Sequence, residues 1–413
     1  MQEEPKILFV DDEKNILKAL RRIMMDQEWD CHFALGPQEA LDLLETETFD
    51  LIVSDVMMPE MNGLALLTRV SQEHPHTVRI FLTGFASKEI VSDALANGCA
   101  QQIIPKPWDE EELTDIIQNA LRQSQQQKKA SPQLQKLLNS IPLLPPLPES
   151  YAQVQSCISE EDTDLEKIAD IIKQDVAISS ALLHWANTAL FGQRSEIDTV
   201  QKALVVLGTD IAVNLILSKT VNGSIADNIS HIKRLDLSRF NRHSIATAII
   251  GRILLEKSCP SDTELLDRVF TAGLLHDIGK LVEARYFSDR FSAAVEIAEM
   301  ENCPFIDAEM KTLGTCHSEL GSFLAEWWTL PEFLNNVIRW HHQPESASAD
   351  QDIVTAVHVA NQLSHNFGFG LAEEACQLDI SAELSEHFSL SEETIQAIKE
   401  ESESVIQSLG SKF

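Results

Sequence analysis

A change of pattern near the middle of the chain constrains the fold most strongly. From residue 6 onward, short β-rich runs alternate with amphipathic helical segments, and after residue 150 only helical periodicity remains. Strands that alternate with helices in this way predict βαβ units and a parallel sheet. The β-rich runs are KILFV, WDCHFAL, DLIVSDV, VRIFLTG and QQIIPKP. We therefore predict a multidomain protein, with a doubly wound α/β domain of five parallel strands followed by an all-α domain.

The length and the segment between the two patterns agree with this division. A chain of 413 residues is longer than one hydrophobic core usually organises. The polar stretch 121–133 lacks the periodicity of a core element, so we predict that its first part extends the preceding helix and the rest is a linker. The Pro-rich stretch 141–150 predicts an extended backbone at the start of the second domain. The acidic, amphipathic tail from about 379 is expected to pack as a last helix.

The charge balance limits the classes of partner. The 64 acidic residues outnumber the 32 Lys and Arg, for a net charge of −32, which disfavours direct nucleic-acid binding. The most basic stretch, 231–244, is too short to reverse this expectation. Seven cysteines without a CxxC pair suit a reducing compartment. The absence of a signal-peptide pattern and of a long apolar run predicts a cytoplasmic protein that does not associate with membranes.

Polar residues stand at the ends of four of the predicted strands. Asp11 and Asp12 follow the first strand, Asp55 ends the third, Thr83 the fourth and Lys106 the fifth. Because the carboxyl ends of parallel strands meet at one edge, these side chains should converge there. Crowded carboxylates favour Mg²⁺, and Asp55 could act as a nucleophile toward phosphorus. Helix capping could explain any one of these residues but not all five, so we predict a phosphoryl-transfer site.

Four motifs in this region resemble the receiver domain of two-component response regulators. They are DD at 11–12, SDVMMPEMNG at 54–63, LTG at 82–84 and PKP at 105–107, and the resemblance covers residues 5–125. It implies a flavodoxin-like fold in which Asp55 accepts a phosphoryl group from a sensor histidine kinase or phosphotransfer protein. It also implies that Asp12, Asp55 and the Met57 carbonyl, beside Asp11, hold Mg²⁺, and that Thr83 and Lys106 bind the phosphoryl oxygens. Ile103 departs from the pattern, because many receivers carry an aromatic switch residue there.

The second half contains a set of histidines around the motif GLLHDIGKL, residues 273–281. This motif places His276 beside Asp277 inside an apolar helical run, and further histidines lie in other helical segments, at His243, His317, His341 and His342. A single histidine is more often a core or surface residue than a ligand. Together, imidazole and carboxylate groups suit Zn, Fe or Mn, so the set is a candidate second metal site.

The order of these residues resembles the HD phosphohydrolase superfamily, whose members bind metals and hydrolyse phosphate esters. The segments LPPLPES, IIKQDVAISSALLHWANTALFG, VQKALVVLG, GLLHDIGKL, CHSELGSFLAEWWTLP and IRWHH narrow the resemblance to the HDOD domain, over about 133–345. HDOD domains are described as signalling or scaffold modules without an established catalytic activity. The related HD-GYP class carries a GYP motif that this chain lacks, and Asn361 stands where the superfamily needs a last carboxylate.

Two interpretations of the second domain remain. In the first, the histidines form a structural cluster or bind a metal weakly, and the domain passes on the receiver's state by docking an unidentified downstream protein. In the second, they hold a metal that activates water in a phosphohydrolase or cyclic-dinucleotide phosphodiesterase. The missing motif and Asn361 favour the first. We expect a receiver at 1–125, a linker helix or linker at 126–140, an HDOD domain at 141–345 and its C-terminal helical extension at 346–413; a homodimer is compatible with the sequence.

Overall fold

The structure is a computed structural model, and it forms two compact units, Met1–Pro145 and Pro146–Phe413. The residues that it describes are 4–25, 27–74, 77–84, 100, 102–129, 131–138, 141, 149–159, 165–191, 197–226, 234–370 and 380–409. Two parts of the sequence analysis fall outside these described residues. They are the helix predicted in SKEIVSDALANG and most of the Pro-rich stretch 141–150.

The first unit contains a five-stranded parallel sheet with the strand order β2-β1-β3-β4-β5. Its strands are β1 Lys6–Val10, β2 Asp30–Ala34, β3 Leu51–Asp55, β4 Val78–Thr83 and β5 Gln102–Pro105. Its described helices are α1 Lys14–Met24, α2 Pro37–Thr46, α3 Gly63–Glu73, α4 Glu110–Lys129 and α5 Pro132–Leu138. The predicted parallel sheet is thereby confirmed.

Helices cover both faces of this sheet because successive strand residues point to opposite sides. From β1, Leu8 and Val10 belong to an apolar cluster that also holds residues of α2 and α3. Ile7 and Phe9 point the other way, into a cluster with residues of α1 and α4. These four side chains are fully buried. The two-sided burial accounts for the nearly continuous apolar run in this strand.

The second unit is helical over its described residues. Its helices are α6 Glu149–Ser159, α7 Leu165–Lys173, α8 Val176–Ala186, α9 Val200–Leu207, α10 Thr209–Ala226, α11 Leu237–Ser258, α12 Thr263–Leu275, α13 Ile278–Tyr286, α14 Ser288–Glu301, α15 Phe305–Thr312, α16 His317–Trp327, α17 Glu332–Trp340, α18 Gln351–Asn366, α19 Ala382–His387 and α20 Glu392–Leu409, with short 3-10 helices at Ala189–Phe191 and Pro344–Ser346. The predicted all-α second domain is therefore confirmed.

The centre of this unit is built from α11, α12 and α18, which pack on one another, while α13 packs on α16. α20 packs on α11 and buries Ile398, Val405 and Leu409. Across the described part of the chain, we find no single helix with the length and apolar character needed to cross a membrane. Two helical segments joined at a bend, Val200–Leu207 and Thr209–Lys219, are together long and apolar enough to cross a membrane, but by length and composition only.

Candidate functional site

The carboxyl edge of the sheet brings three charged side chains into contact. Asp11 and Asp55 are buried, and the Lys106 ammonium lies between them, with its Nζ 2.7 Å from Asp11 Oδ2 and in contact with Asp55 Oδ1. Backbone amides fix both carboxylates: the Glu13 N–H donates to Asp11 Oδ1 at 2.8 Å, and the Met57 N–H donates to Asp55 Oδ2 at 2.7 Å. The carboxylates at this edge are therefore held in place, and the Lys106 ammonium contacts Asp55, the candidate nucleophile.

The other residues predicted for this edge lie beside these three. Asp12 follows Asp11 and is exposed, whereas Thr83 is half-buried at the end of β4. The Thr83 carbonyl accepts from the Lys106 N–H at 2.7 Å. Ile103, which stands at the predicted switch position, is half-buried against the cluster that contains α2 and α3.

Burial and charge shape the protonation of this edge. Burial raises the pKa of Asp11, and the hydrogen bond from Lys106 only partly offsets this. Burial would lower the pKa of Lys106, but its hydrogen bonds to Asp11 and Asp55 outweigh burial and raise it. The ammonium therefore remains charged at neutral pH, as a group that binds phosphoryl oxygens must.

In the second unit, the helical run through GLLHDIGKL is broken at its centre, which corrects the expectation of one continuous helix. α12 ends at Leu275 and α13 begins at Ile278, so His276 and Asp277 lie in the turn between them. Asp277 adopts φ −98° and ψ 13°, outside the helical range. Adjacent helical residues point about 100° apart. The turn instead lets both side chains reach the same point.

All the residues predicted as a second metal site meet around the Asp277 carboxylate. We call them the histidine centre: His243, His276, Asp277, His317, His341 and His342. Asp277 Oδ2 lies 3.4 Å from His243 Nε2 and 3.3 Å from His276 Nε2. Asp277 Oδ1 lies 3.3 Å from His317 Nε2 and 3.5 Å from His341 Nε2. His342 Nε2 is 3.0 Å from His317 Nε2.

Two of these rings are oriented by backbone carbonyls. His276 Nδ1 donates to the Gly273 carbonyl at 2.8 Å, and His341 Nδ1 donates to the Ile338 carbonyl at 3.0 Å. Because a carbonyl can only accept, Nδ1 carries a proton in both rings. Their Nε2 atoms face Asp277, and in a neutral ring this is the nitrogen left to bind a metal.

Two further rings are oriented by side chains that the sequence did not single out. His317 Nδ1 donates to the Glu309 carboxylate at 2.8 Å. His243 Nδ1 lies 3.0 Å from Ser364 Oγ, whose own proton goes to the Asn361 carbonyl at 2.8 Å. His243 must therefore be the donor, so its Nε2 is also unprotonated. Glu309 and Ser364 have the position and chemistry of outer partners of metal ligands.

The histidine centre fits a metal ion by its donor set and by its unsatisfied atoms. His243 Nε2, His276 Nε2 and Asp277 Oδ1 are buried, and among the described residues none has a hydrogen-bond partner of suitable geometry. Burial lowers the pKa of His243 to about 3 and that of His341 to about 4, so both rings are neutral. Unsatisfied buried acceptors are costly unless a cation compensates them.

Charged side chains from α13 and α15 extend the centre. The Lys280 ammonium donates to Asp277 Oδ2 at 2.8 Å. Burial would raise the pKa of Asp277, but His276 and Lys280 outweigh burial and hold it well below its ordinary value. Burial would lower the pKa of His317, yet Glu309 raises it to about 10. Lys280, Glu283 and Glu309 were missed by the sequence interpretation, although Asp277, Lys280 and Glu283 recur at three-residue spacing within an apolar run.

Glu283 provides a test of this buried charge arrangement. Burial and the neighbouring Glu309 raise the pKa of Glu283 well above its ordinary value, so its carboxyl keeps a proton in the folded chain at a pH where the unfolded chain has lost it. Stability should therefore fall as pH rises above the unfolded value, by at most about 1.4 kcal/mol per pH unit. Glu283→Gln removes this loss. As the pH rises from 5 to 8, we therefore expect the unfolding free energy of Glu283→Gln to increase relative to that of the wild type.

Denaturant unfolding of the full chain at several pH values measures this difference. Glu256→Gln is the matched control, because Glu256 is exposed on α11 and should show no such trend. An advantage of Glu283→Gln that stays constant or shrinks toward pH 8 would mean that Glu283 is ionised in the folded protein.

Comparisons with known proteins agree with both parts of this description. Residues 7–118 match the response regulator receiver domain, and residues 144–344 match the HDOD domain. An uncharacterized protein of Treponema pallidum is 27% identical over 53% of this chain and 41% of its own length. The DNA-binding transcriptional regulator NtrC of Klebsiella pneumoniae is 34% identical over 30% of this chain and 26% of its own. The chain thus spans less than half the length of either relative.

Solved structures resemble large parts of this chain. An HDOD domain protein of unknown function from Geobacter sulfurreducens is 25% identical with a TM-score of 0.50, over 63% of this chain and 83% of its own. A putative phosphohydrolase from Shewanella amazonensis has a TM-score of 0.51 over 67% of this chain and 98% of its own. At 22% identity, the second likeness concerns the fold alone.

Proposed function

Because this chain is a response regulator that carries a receiver domain followed by an HDOD output domain, we propose that phosphorylation of Asp55 controls the output domain. The donor is a sensor histidine kinase or a phosphotransfer protein. The observation that carries this proposal is the contact of buried Asp55 with the Lys106 ammonium at the carboxyl edge of the sheet.

The chemistry follows from the charges at this edge. An Asp55 carboxylate oxygen attacks phosphorus as the bond between phosphorus and the donor breaks, and the donor leaves with the bonding electrons. Lys106 neutralises one phosphoryl oxygen, and the Thr83 hydroxyl can donate to another. The oxygens of Asp11, Asp12, Asp55 and the Met57 carbonyl would hold Mg²⁺, which would neutralise further charge on the incoming group.

We propose that the output domain signals by binding a downstream protein and that the histidine centre is a structural metal site for Zn, Fe or Mn. The burial of the centre supports this role. Five of its six side chains are fully buried, and only His342 is partly accessible. Structural metal sites are closed, whereas catalytic sites keep a position open to substrate. Within the described part of the chain, Asp277 is fully buried, so a phosphodiester would have to displace packed side chains to reach it.

A metal-dependent phosphodiesterase is the second candidate, because the unprotonated Nε2 atoms around Asp277 are suitable ligands for a catalytic metal. The two candidates differ in turnover. With Mn²⁺ supplied, we expect no cyclic-dinucleotide hydrolysis above that of His276→Gln. Turnover that this substitution abolishes would instead support the enzyme.

The control of the output domain can be tested by hydrogen exchange on the full chain. Beryllofluoride, which mimics the phosphoryl group on aspartate, should change amide exchange in helices beyond residue 146 as well as in the receiver. Asp55→Asn should remove both changes, whereas Asp42→Asn, on the exposed face of α2, should keep them. Changes that stay within residues 1–145 would contradict control of the output domain.

A further inference from the structure

Lys280 brings a side-chain ammonium into the histidine centre. It lies on α13, three residues after Asp277, and is fully buried. Its Nζ is 2.8 Å from Asp277 Oδ2 and 5.7 Å from the centre of the Phe305 ring. Burying an ammonium is costly unless an opposite charge compensates it. The Asp277 carboxylate therefore supplies the opposite charge that compensates the buried Lys280 ammonium.

The two oxygens of Asp277 consequently have different surroundings. Oδ2 faces His243, His276 and the Lys280 ammonium, which donates a hydrogen bond to it. Oδ1 faces His317 and His341. Oδ1 lacks a hydrogen bond from any described residue. Oδ1 is therefore the oxygen that is not shared with the Lys280 ammonium.

Electrostatics favours a metal ion on the Oδ1 side. A divalent ion at Oδ2 would share that oxygen with an ammonium, and the repulsion of two cations is strong in a dry interior. On the Oδ1 side, the Glu309 carboxylate instead adds negative charge behind His317. There His317 Nε2 lies 3.4 Å from His341 Nε2 and 3.0 Å from His342 Nε2. A proton on His317 Nε2 or a metal ion can lie among these nitrogens, and metal binding would displace that proton.

We propose that the histidine centre binds one divalent ion, through Asp277 Oδ1, His317, His341 and His342, and that the Lys280 ammonium takes the place of a second ion at Oδ2. This inference rests on the proposed metal binding of the centre. It leaves His243 and His276 beside the oxygen that Lys280 binds, so that their Nε2 atoms would become metal ligands only when the ammonium is removed. It also makes Lys280 the residue that sets the number of ions.

Cobalt binding to the full chain tests this number. The chelator-treated protein is titrated with Co²⁺ in excess Mg²⁺, which occupies the oxygen ligands of the receiver, and bound cobalt is counted by elemental analysis. We expect one ion per chain in the wild type, one in Lys280→Arg and two in Lys280→Met. Two ions in the wild type, or one in Lys280→Met, would overturn the role of Lys280. No cobalt in either protein would reject the metal binding itself, and this inference with it.

A matched pair of substitutions keeps the proposal testable if Lys280→Met fails to fold. His341→Gln removes a proposed ligand, and His276→Gln removes a histidine from the Oδ2 side. We expect cobalt affinity to fall by at least about tenfold in His341→Gln and to change little in His276→Gln. A larger loss of cobalt affinity in His276→Gln than in His341→Gln would place the ion at Oδ2 and contradict the proposal.

Discussion

Replacing Asp55 by Asn is expected to abolish formation of the acyl phosphate. Asn keeps the size of the side chain but lacks the negatively charged oxygen that attacks phosphorus. Asp11 is a poor substitute for Asp55, because its side chain is only 1% exposed, against 10% for the side chain of Asp55. Incubation of the full chain with radiolabelled acetyl phosphate and Mg²⁺ measures the effect as loss of acid-stable, base-labile label.

The control for this substitution is Asp42→Asn, which makes the same chemical change at an exposed position of α2. It should retain full labelling. Lys106→Ala should leave Asp55 in place and slow labelling, since the phosphoryl group loses its ammonium partner. Label that persists in Asp55→Asn would move the acceptor to another residue, and exposed Asp12 would then be the first to examine.

Gly279→Ala is expected to destabilise the helical unit by about 3 kcal/mol, near the upper end for overpacking a well-packed core. A Cβ at Gly279 would lie 1.8 Å from the His317 carbonyl oxygen and 2.8 Å from the Gly321 nitrogen. Both are backbone atoms of α16, so no side-chain rotation can relieve the overlap. α13 and α16 would have to separate, which would also move His317 away from Asp277.

Gly251→Ala is the matched control within another packed helix. There an added Cβ would meet the Val269 side chain at 3.2 Å, and this side chain can shift by a few tenths of an ångström. The change also favours helix formation by nearly 1 kcal/mol, so we expect little net loss. Denaturant unfolding of both variants gives the comparison. Equal stability of the two would show that α13 and α16 are not in close contact at Gly279.

The first unit was predictable because its pattern is local. Each β-rich run and each helical segment lies within a few neighbouring residues, and parallel strands all present their carboxyl ends to the same edge. The positions of Asp11, Asp55 and Lys106 after three of these strands therefore predicted their contact. The order of His243, His276, Asp277 and His317 indicated a shared centre through its resemblance to the HD superfamily, although not the geometry of that centre.

Amino-acid order by itself determined the two fold classes and the acidic edge of the sheet, since periodicity and strand ends are properties of nearby residues, and its resemblance to the HD superfamily indicated the set of histidines. Only the tertiary structure decided which oxygen of Asp277 each partner faces, that His276 and Asp277 lie in a turn, and that Lys280 and Glu309 belong to the centre. The physical reason is that these contacts depend on how closely helices cross. His243 and Ser364, for example, are 121 residues apart, and no local pattern specifies their distance or the exclusion of water around them.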